Sequence, residues 1–270
     1  MLITGLLIAT VTRAEEPRRI VTLGGAVTET VWALGAGDAV VAVDDSSAYF
    51  TPASDRPTVG YYRMISAEGV LSLRPDLVLA SGESGPPEAV DHLRRAGIPF
   101  VTVTAAPSVD ACLERITTLA DALGRPEQGH ALRTSLLTAL DSLPPAPVPA
   151  PRVVFIFARG AGTLNISGTG TAADAIIRLA GGINAVDAYT GYRPMTAEAV
   201  VTANPDVIVM TTSGLAGIGG EAALWQQPGL TVTAAGRDRR VVAFDDLLLL
   251  GFGPRLPEAV KSLREALTLE

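Results

Sequence analysis

The chain has 270 residues, a net charge of −7, 48% hydrophobic residues and 18% charged ones. That length and apolar content suit one or two domains with a large core and exclude wholesale disorder. The acidic balance excludes a nucleic-acid binder, which needs a basic surface to meet phosphates.

In chain order, an apolar run from Leu2 to Val11 comes first, followed by Thr12-Arg13-Ala14 and the acidic Glu15-Glu16-Pro17. The run is too short to span a bilayer, which takes about 20 apolar residues. It reads as the apolar region of a signal peptide covering residues 1–14, cleaved near Ala14. The usual basic start is missing, which points to a start upstream. No cysteine follows the cleavage point, so the expected product is exported to the periplasm without a lipid anchor. Arg19 to Leu23 then reads as a strand, Val27 to Leu34 as a helix stopped by Gly35, and Val40 to Val43 as a second strand. Ser66 to Leu73 reads as a short helix with Ser66 as N-cap, Leu77 to Ala80 as a strand, Pro87 to Ala96 as a helix and Phe100 to Val103 as a strand. Short continuous apolar strands alternating with helices predict parallel strands covered on both faces. Ser108 to Leu123 and Pro126 to about Leu143 are helical, and Pro144 to Pro151 (PPAPVPAP) is stiff and unfit for a sheet interior. Val153 to Phe157, Val207 to Met210 and Val241 to Ala243 read as strands, and Thr171 to Leu179 and Pro254 to Leu267 as helices.

An internal repeat organises these elements. Residues 62–76 (YRMISAEGVLSLRPD) and 192–206 (YRPMTAEAVVTANPD) share seven of fifteen positions, among them Tyr62/Tyr192, Arg63/Arg193, Glu68/Glu198 and Asp76/Asp206. Ser66 and Thr196 are matched N-caps. A weaker match sets Thr28–Gly37 against Ala173–Gly182. The expected fold is therefore α/β: two similar Rossmann-like lobes, 17–125 and 152–270, joined by a connecting helix and Pro-rich linker over 126–151. Two lobes on a stiff connector leave a cleft, where ligands favour binding.

Four of the five tyrosines and two arginines fall at or just before the matched helix starts: Tyr61, Tyr62, Arg63, Tyr189, Tyr192 and Arg193. Loops on rigid scaffolds carry function. A phenolate suits ferric iron, and haem iron takes a Tyr ligand in some proteins. Tyrosine ionises near about 10 when free, and an adjacent arginine or the metal favours the phenolate. Tyr and Arg are also common loop residues that merely cap or stack.

The segments VGYYRMISAEGVLSLRPDLVLAS (59–81), GTAADAIIRLAGGINAV (170–186), YRPMTAEAVV (192–201) and LLLLGFGPRLPEAV (247–260) resemble the haem-binding periplasmic proteins of haem-uptake ABC transporters. These belong to a larger class whose two lobes are linked by one long helix, alongside cobalamin and ferric-siderophore binders. The resemblance implies a monomeric substrate-binding protein, not an enzyme, that captures haem as its transported ligand and delivers it to an ABC permease dimer in the inner membrane. The alternative ligand is cobalamin or a ferric siderophore. It implies that Tyr61 is the haem-iron ligand, with Tyr62 as the rival because the repeat matches it. Arg63 and Arg193 would hold the phenolate charge or meet propionates, with Tyr192 beside them in the haem pocket. Some members add a histidine in the loop after the first strand of the second lobe. Here that loop reads Phe157-Ala158-Arg159-Gly160-Ala161-Gly162, so Arg159 takes that place and a single protein ligand is expected. Glu68 and Glu198 would dock onto arginines of the permease. Otherwise they would complete a capping box or favour the helix dipole.

Other signals are weaker. The single lysine, Lys261, lies in no GxxxxGK[ST] loop, which excludes a P-loop. The two histidines, His92 and His130, read as solvated helix residues, and the one cysteine, Cys112, as core packing; a multi-Cys or multi-His zinc site lacks ligands. Gly168 to Ala173 fits GxGxxA but follows no strand closely, and reads as a turn entering a helix. An enzyme on a related two-lobed scaffold is the rival class, and the poverty of His, Cys and Lys counts against it.

Overall fold

The computed structural model describes residues 17–158 and 163–268. The signal-peptide segment and Arg159 lie outside the described residues. The first half contains β1 (Ile20–Leu23), α1 (Gly25–Ala33), β2 (Val40–Val43), α2 (Ala67–Ser72), β3 (Leu77–Ser81), α3 (Pro87–Arg95) and β4 (Phe100–Val103). Its strands run parallel in the order β2-β1-β3-β4. Every residue of β1 is buried, because both faces are covered. Val27, Val31 and Leu34 of α1 pack on one side, and Val70 of α2 with Val90 and Leu93 of α3 pack on the other. This is why the strands read as unbroken apolar runs rather than alternating ones.

Next, α4 (Val109–Ala122) and α5 (Pro126–Asp141) pack against each other. Gly129 lets them touch: a methyl group there would collide with the Ala120 side chain. Helix α4 serves two cores. Cys112 and Ile116 pack with Val153, Phe155 and Leu256 of the second half. Leu119, Ala120 and Leu123 pack with Ile20, Val31 and Leu79 of the first. Cys112 is thus a core residue, while His92 and His130 are exposed on their helices.

The second half contains β5 (Arg152–Phe157), β6 (Asn165–Ser167), α6 (Ala172–Leu179), β7 (Ile183–Asn184), β8 (Tyr192–Pro194), α7 (Ala197–Ala203) and β9 (Val207–Thr211). It continues with α8 (Thr212–Gly217), α9 (Glu221–Leu224), α10 (Ala234–Arg237), β10 (Val241–Phe244), α11 (Asp246–Leu250) and α12 (Leu256–Thr268). Strands β10, β9, β5 and β7 are parallel and repeat the first sheet. The expectation of parallel strands alone fails at one edge. The start of β5 pairs with β7, but its end pairs with the antiparallel β6, which pairs in turn with antiparallel β8.

The repeat holds down to single hydrogen bonds. Ser66 and Thr196 cap α2 and α7 by accepting from Gly69 N and Ala199 N, each at 3.1 Å. Just past the helices, Arg74 and Asn204 both turn left-handed, at φ 48° and 36°. Asp76 then accepts from the backbone of Arg18 and Arg19, and Asp206 from that of Arg152. The guanidinium groups of Arg19 and Arg152 reach back to the helix-end carbonyls of Leu73 and Ala203. Glu68 and Glu198 stand one place before Gly69 and Ala199, so neither completes a capping box; both are exposed in a first helical turn, where a carboxylate suits the dipole.

Candidate functional site

A cavity of about 290 Å³ lies between the ends of the first parallel sheet and α11 of the second half. Its floor is the turn Gly24-Gly25 after β1. Gly24 takes φ 109°, a conformation that glycine alone adopts readily. Asp44, fully buried, holds this turn by accepting from Gly24 N at 2.8 Å and from the hydroxyls of Ser46 and Ser47 at 2.6 Å. Ser47 continues through Thr28 to Thr22 in a buried hydroxyl chain, each step 2.7 Å. At Gly25 the halves meet so closely that a methyl group would strike Leu247 of α11. Beside the cavity, the half-buried Arg255 of the second half forms an ion pair with the buried Glu29 of α1. Desolvation pushes the Glu29 pKa up, and Arg255 pulls it back.

Tyr61 and Tyr62 both line the cavity. Their rings meet edge to face, with centroids 4.7 Å apart. The Tyr62 hydroxyl donates to Glu83 at 3.2 Å and accepts from Arg63 Nε at 3.1 Å, and Arg63 closes the triangle by pairing with Glu83. Burial is the main cause that lifts the Tyr62 pKa far above the ordinary phenol value; the neighbouring Tyr61 adds to it and Arg63 opposes it. Tyr62 therefore keeps its proton. Arg63 is committed to Tyr62 and Glu83.

The matched residues of the second half do not join this cavity. Tyr192 is 42% exposed on β8 and packs on Phe157, the last residue of β5, at 5.6 Å between ring centroids. Desolvation raises its pKa, against hydrogen bonds with Thr171 and Ser167. Arg193 lies over the Tyr189 ring, 4.5 Å from its centroid. The GxGxxA segment is a packed turn, because a methyl group on Gly168 would run into the backbone of Tyr189, and Thr171 caps α6. Sequence reading missed Glu83, Arg115 and Asp246, which also line the cavity. Glu83 had a local cue, since it follows β3 directly; the other two carry no motif.

Among the described residues there is no cluster of His, Cys, Asp or Glu able to hold a metal ion, and no helix long and apolar enough to cross a membrane. The sequence profile of the family described as Periplasmic binding protein matches residues 20–247. The chain belongs to the periplasmic binding protein family. A relative from Bacillus subtilis, the uncharacterized ABC transporter substrate-binding lipoprotein YvrC, is 32% identical over 95% of this chain and 82% of its own. A cobalamin-binding protein of Halobacterium salinarum is 32% identical over 75% of this chain and 56% of its own. Among solved structures, the periplasmic heme-binding protein RhuT from Roseiflexus sp. RS-1 aligns with a TM-score of 0.89 at 39% identity, over 93% of this chain and 98% of that one. The heme-binding protein BhuT, solved with two hemes, aligns with a TM-score of 0.87 at 42% identity, over 93% and 97%. This periplasmic binding protein is thus a substrate-binding component of ABC transport, and its relatives are transport proteins rather than enzymes.

Proposed function

We propose that the protein captures haem in the cleft between its halves and hands it to an ABC permease, with Tyr61 as the one protein ligand to the iron. The observation that carries this reading is the division of labour in the tyrosine pair. Burial, with Tyr61 and Glu83 beside it, holds Tyr62 as a phenol against the pull of Arg63, and its hydroxyl is tied to both Glu83 and Arg63. That commitment leaves the iron to Tyr61, whose ring lies on the same cavity wall, 4.7 Å from that of Tyr62 between centroids. Ferric iron favours the phenolate form of a coordinating phenol. Identities of 39% and 42% to two heme-binding structures, against 32% to the cobalamin-binding protein, support the same ligand. Arg63 acts through Tyr62 in this arrangement rather than on a propionate. The second half's expected haem-pocket residues are Tyr192, Arg193 and Arg159.

Glu68 and Glu198, exposed at equivalent helix starts, are the docking carboxylates for a permease dimer. The protein works as an exported monomer, with residues 1–14 as its signal peptide and the halves divided at 126–151.

Titration of the protein with hemin, followed by absorbance, tests the reading. A saturable spectrum of tyrosinate-ligated ferric haem is expected from the wild type and from Tyr62→Ala, and none from Tyr61→Ala. Loss in Tyr62→Ala alone would move the ligand by one residue. The second reading, a cobalamin-binding protein, is favoured by the curated relatives; it predicts saturable binding of cyanocobalamin and none of hemin.

A further inference from the structure

The cation that lines the cavity is Arg115 of α4, and its situation differs from that of every other charged group there. It is 3% exposed. Its hydrogen bonds all go to backbone carbonyls: Nε and Nη2 donate to Thr104 O at 3.2 and 3.0 Å, and Nη1 to Phe252 O at 2.7 Å. None of the described carboxylates forms an ion pair with it. The two carboxylates that share the cavity wall are already engaged. Glu83 pairs with Arg63, and Asp246 accepts from the Ser213 hydroxyl at 2.6 Å.

A guanidinium carries five N–H donors and stays charged when buried. The three bonds to carbonyls leave one N–H on each of Nη1 and Nη2 to meet a further acceptor. A buried cation without an anion is costly to keep. The fold also spends backbone conformation on it: Phe252, a bulky buried residue, sits at φ 51°, and its carbonyl is the one that Nη1 meets. A bulky residue holds such a conformation only where its surroundings fix it.

We propose that Arg115 receives a carboxylate of the ligand, and that it makes the cleft select tetrapyrroles with free propionates over ring systems whose side chains are amides or esters. The inference rests on the haem reading and sharpens it. Haem carries two propionates, whereas the corrin ring of cobalamin is decorated with amides, so one buried guanidinium separates the two ligand classes that the relatives bind. Tyr61 and Arg115 then hold the porphyrin at two points, iron and edge.

The test varies the ligand before the protein. Hemin and hemin dimethyl ester are titrated in the same detergent buffer against the wild type, Arg115→Lys and Arg115→Met. The wild type is expected to bind hemin about 10- to 100-fold more tightly than the ester, as suits a charged hydrogen bond in a buried site. Arg115→Lys keeps part of that ratio and Arg115→Met brings it near one. Because the ratio compares two ligands on one protein, a general loss of stability in a variant cancels. Equal affinities for both ligands in the wild type overturn the proposal and leave the haem reading standing. A ratio unchanged in Arg115→Met overturns the assignment to Arg115. Failure of the wild type to bind either ligand removes the haem reading itself, and this inference with it.

Discussion

Tyr62-Arg63 and Tyr192-Arg193 open matched helices, yet the chain puts them to different uses. In the first half the pair forms a short 3-10 turn (Tyr62–Met64) on the cavity wall, tied to Glu83. In the second half the same two residues lie in β8, paired to β6 through Ser167 and Ile166. The helix caps, left-handed helix ends and aspartate clamps that follow are the same in both. The difference begins upstream. In the first half residues 44–64 form a series of 3-10 turns between β2 and α2, whereas in the second the chain returns through β7 and β8. A repeated sequence therefore conserved the scaffold and freed one copy of the tyrosine to become a site residue.

The contrast is broken most sharply by truncating each tyrosine. Tyr61→Ala is expected to weaken hemin binding by about 100-fold or more, as removal of an iron ligand does. Tyr192→Ala, off the cavity wall, is expected to change it less than about 3-fold; comparable losses would mean that both halves hold the ligand equally. The scaffold should respond the other way, with matched costs. Asp76→Ala and Asp206→Ala each remove a carboxylate that ties a strand start to a helix end. Both are expected to cost about 1–2 kcal/mol in urea denaturation, the first more because it accepts from two backbone N–H groups. Ser66→Ala and Thr196→Ala delete equivalent caps and are expected to cost about 1 kcal/mol each. Unequal losses there would show that one lobe bears stress the other does not. The smallest effect is in proton uptake. Burial raises the pKa of Tyr62, Tyr189 and Tyr192. The folded state therefore holds phenol protons that the unfolded state gives up near about pH 10. That contribution to stability is complete below about pH 10 and is withdrawn as pH rises through the folded-state values. Absorbance at 295 nm should show a late-ionising fraction that shrinks in Tyr62→Phe and, by a smaller step, in Tyr192→Phe.

These contrasts also mark what could be read from the sequence. The caps at Ser66 and Thr196 were legible because capping is a local pattern, resolved within four residues. Strands β1 to β5, β9 and β10 were legible because they write continuous apolar runs, the central ones buried on both faces; β7, two residues long, was not. Strands β6 and β8 were not, being three residues long; β8 (Tyr192–Pro194) is exposed throughout and carries no alternation. Asp76 and Asp206 were visible as a repeat, but their purpose is long-range: Asp76 meets backbone 57 and 58 residues away. Arg115 is the extreme case, since its Phe252 partner lies 137 residues on. No spacing rule in a single sequence connects such positions. The family itself was legible in the GYYR and SAEG run before any coordinates.

Helix α4 has a consequence for how the molecule comes apart. Two lobes built on one plan look separable, each with its own sheet. Yet Cys112 and Ile116 cannot leave the second core without pulling Leu119 and Leu123 from the first, since one rigid helix carries all four. Heating meets a single cooperative unit, so a calorimetric scan should trace one peak whose calorimetric and van't Hoff enthalpies agree. Neither half, expressed by itself, inherits a finished core.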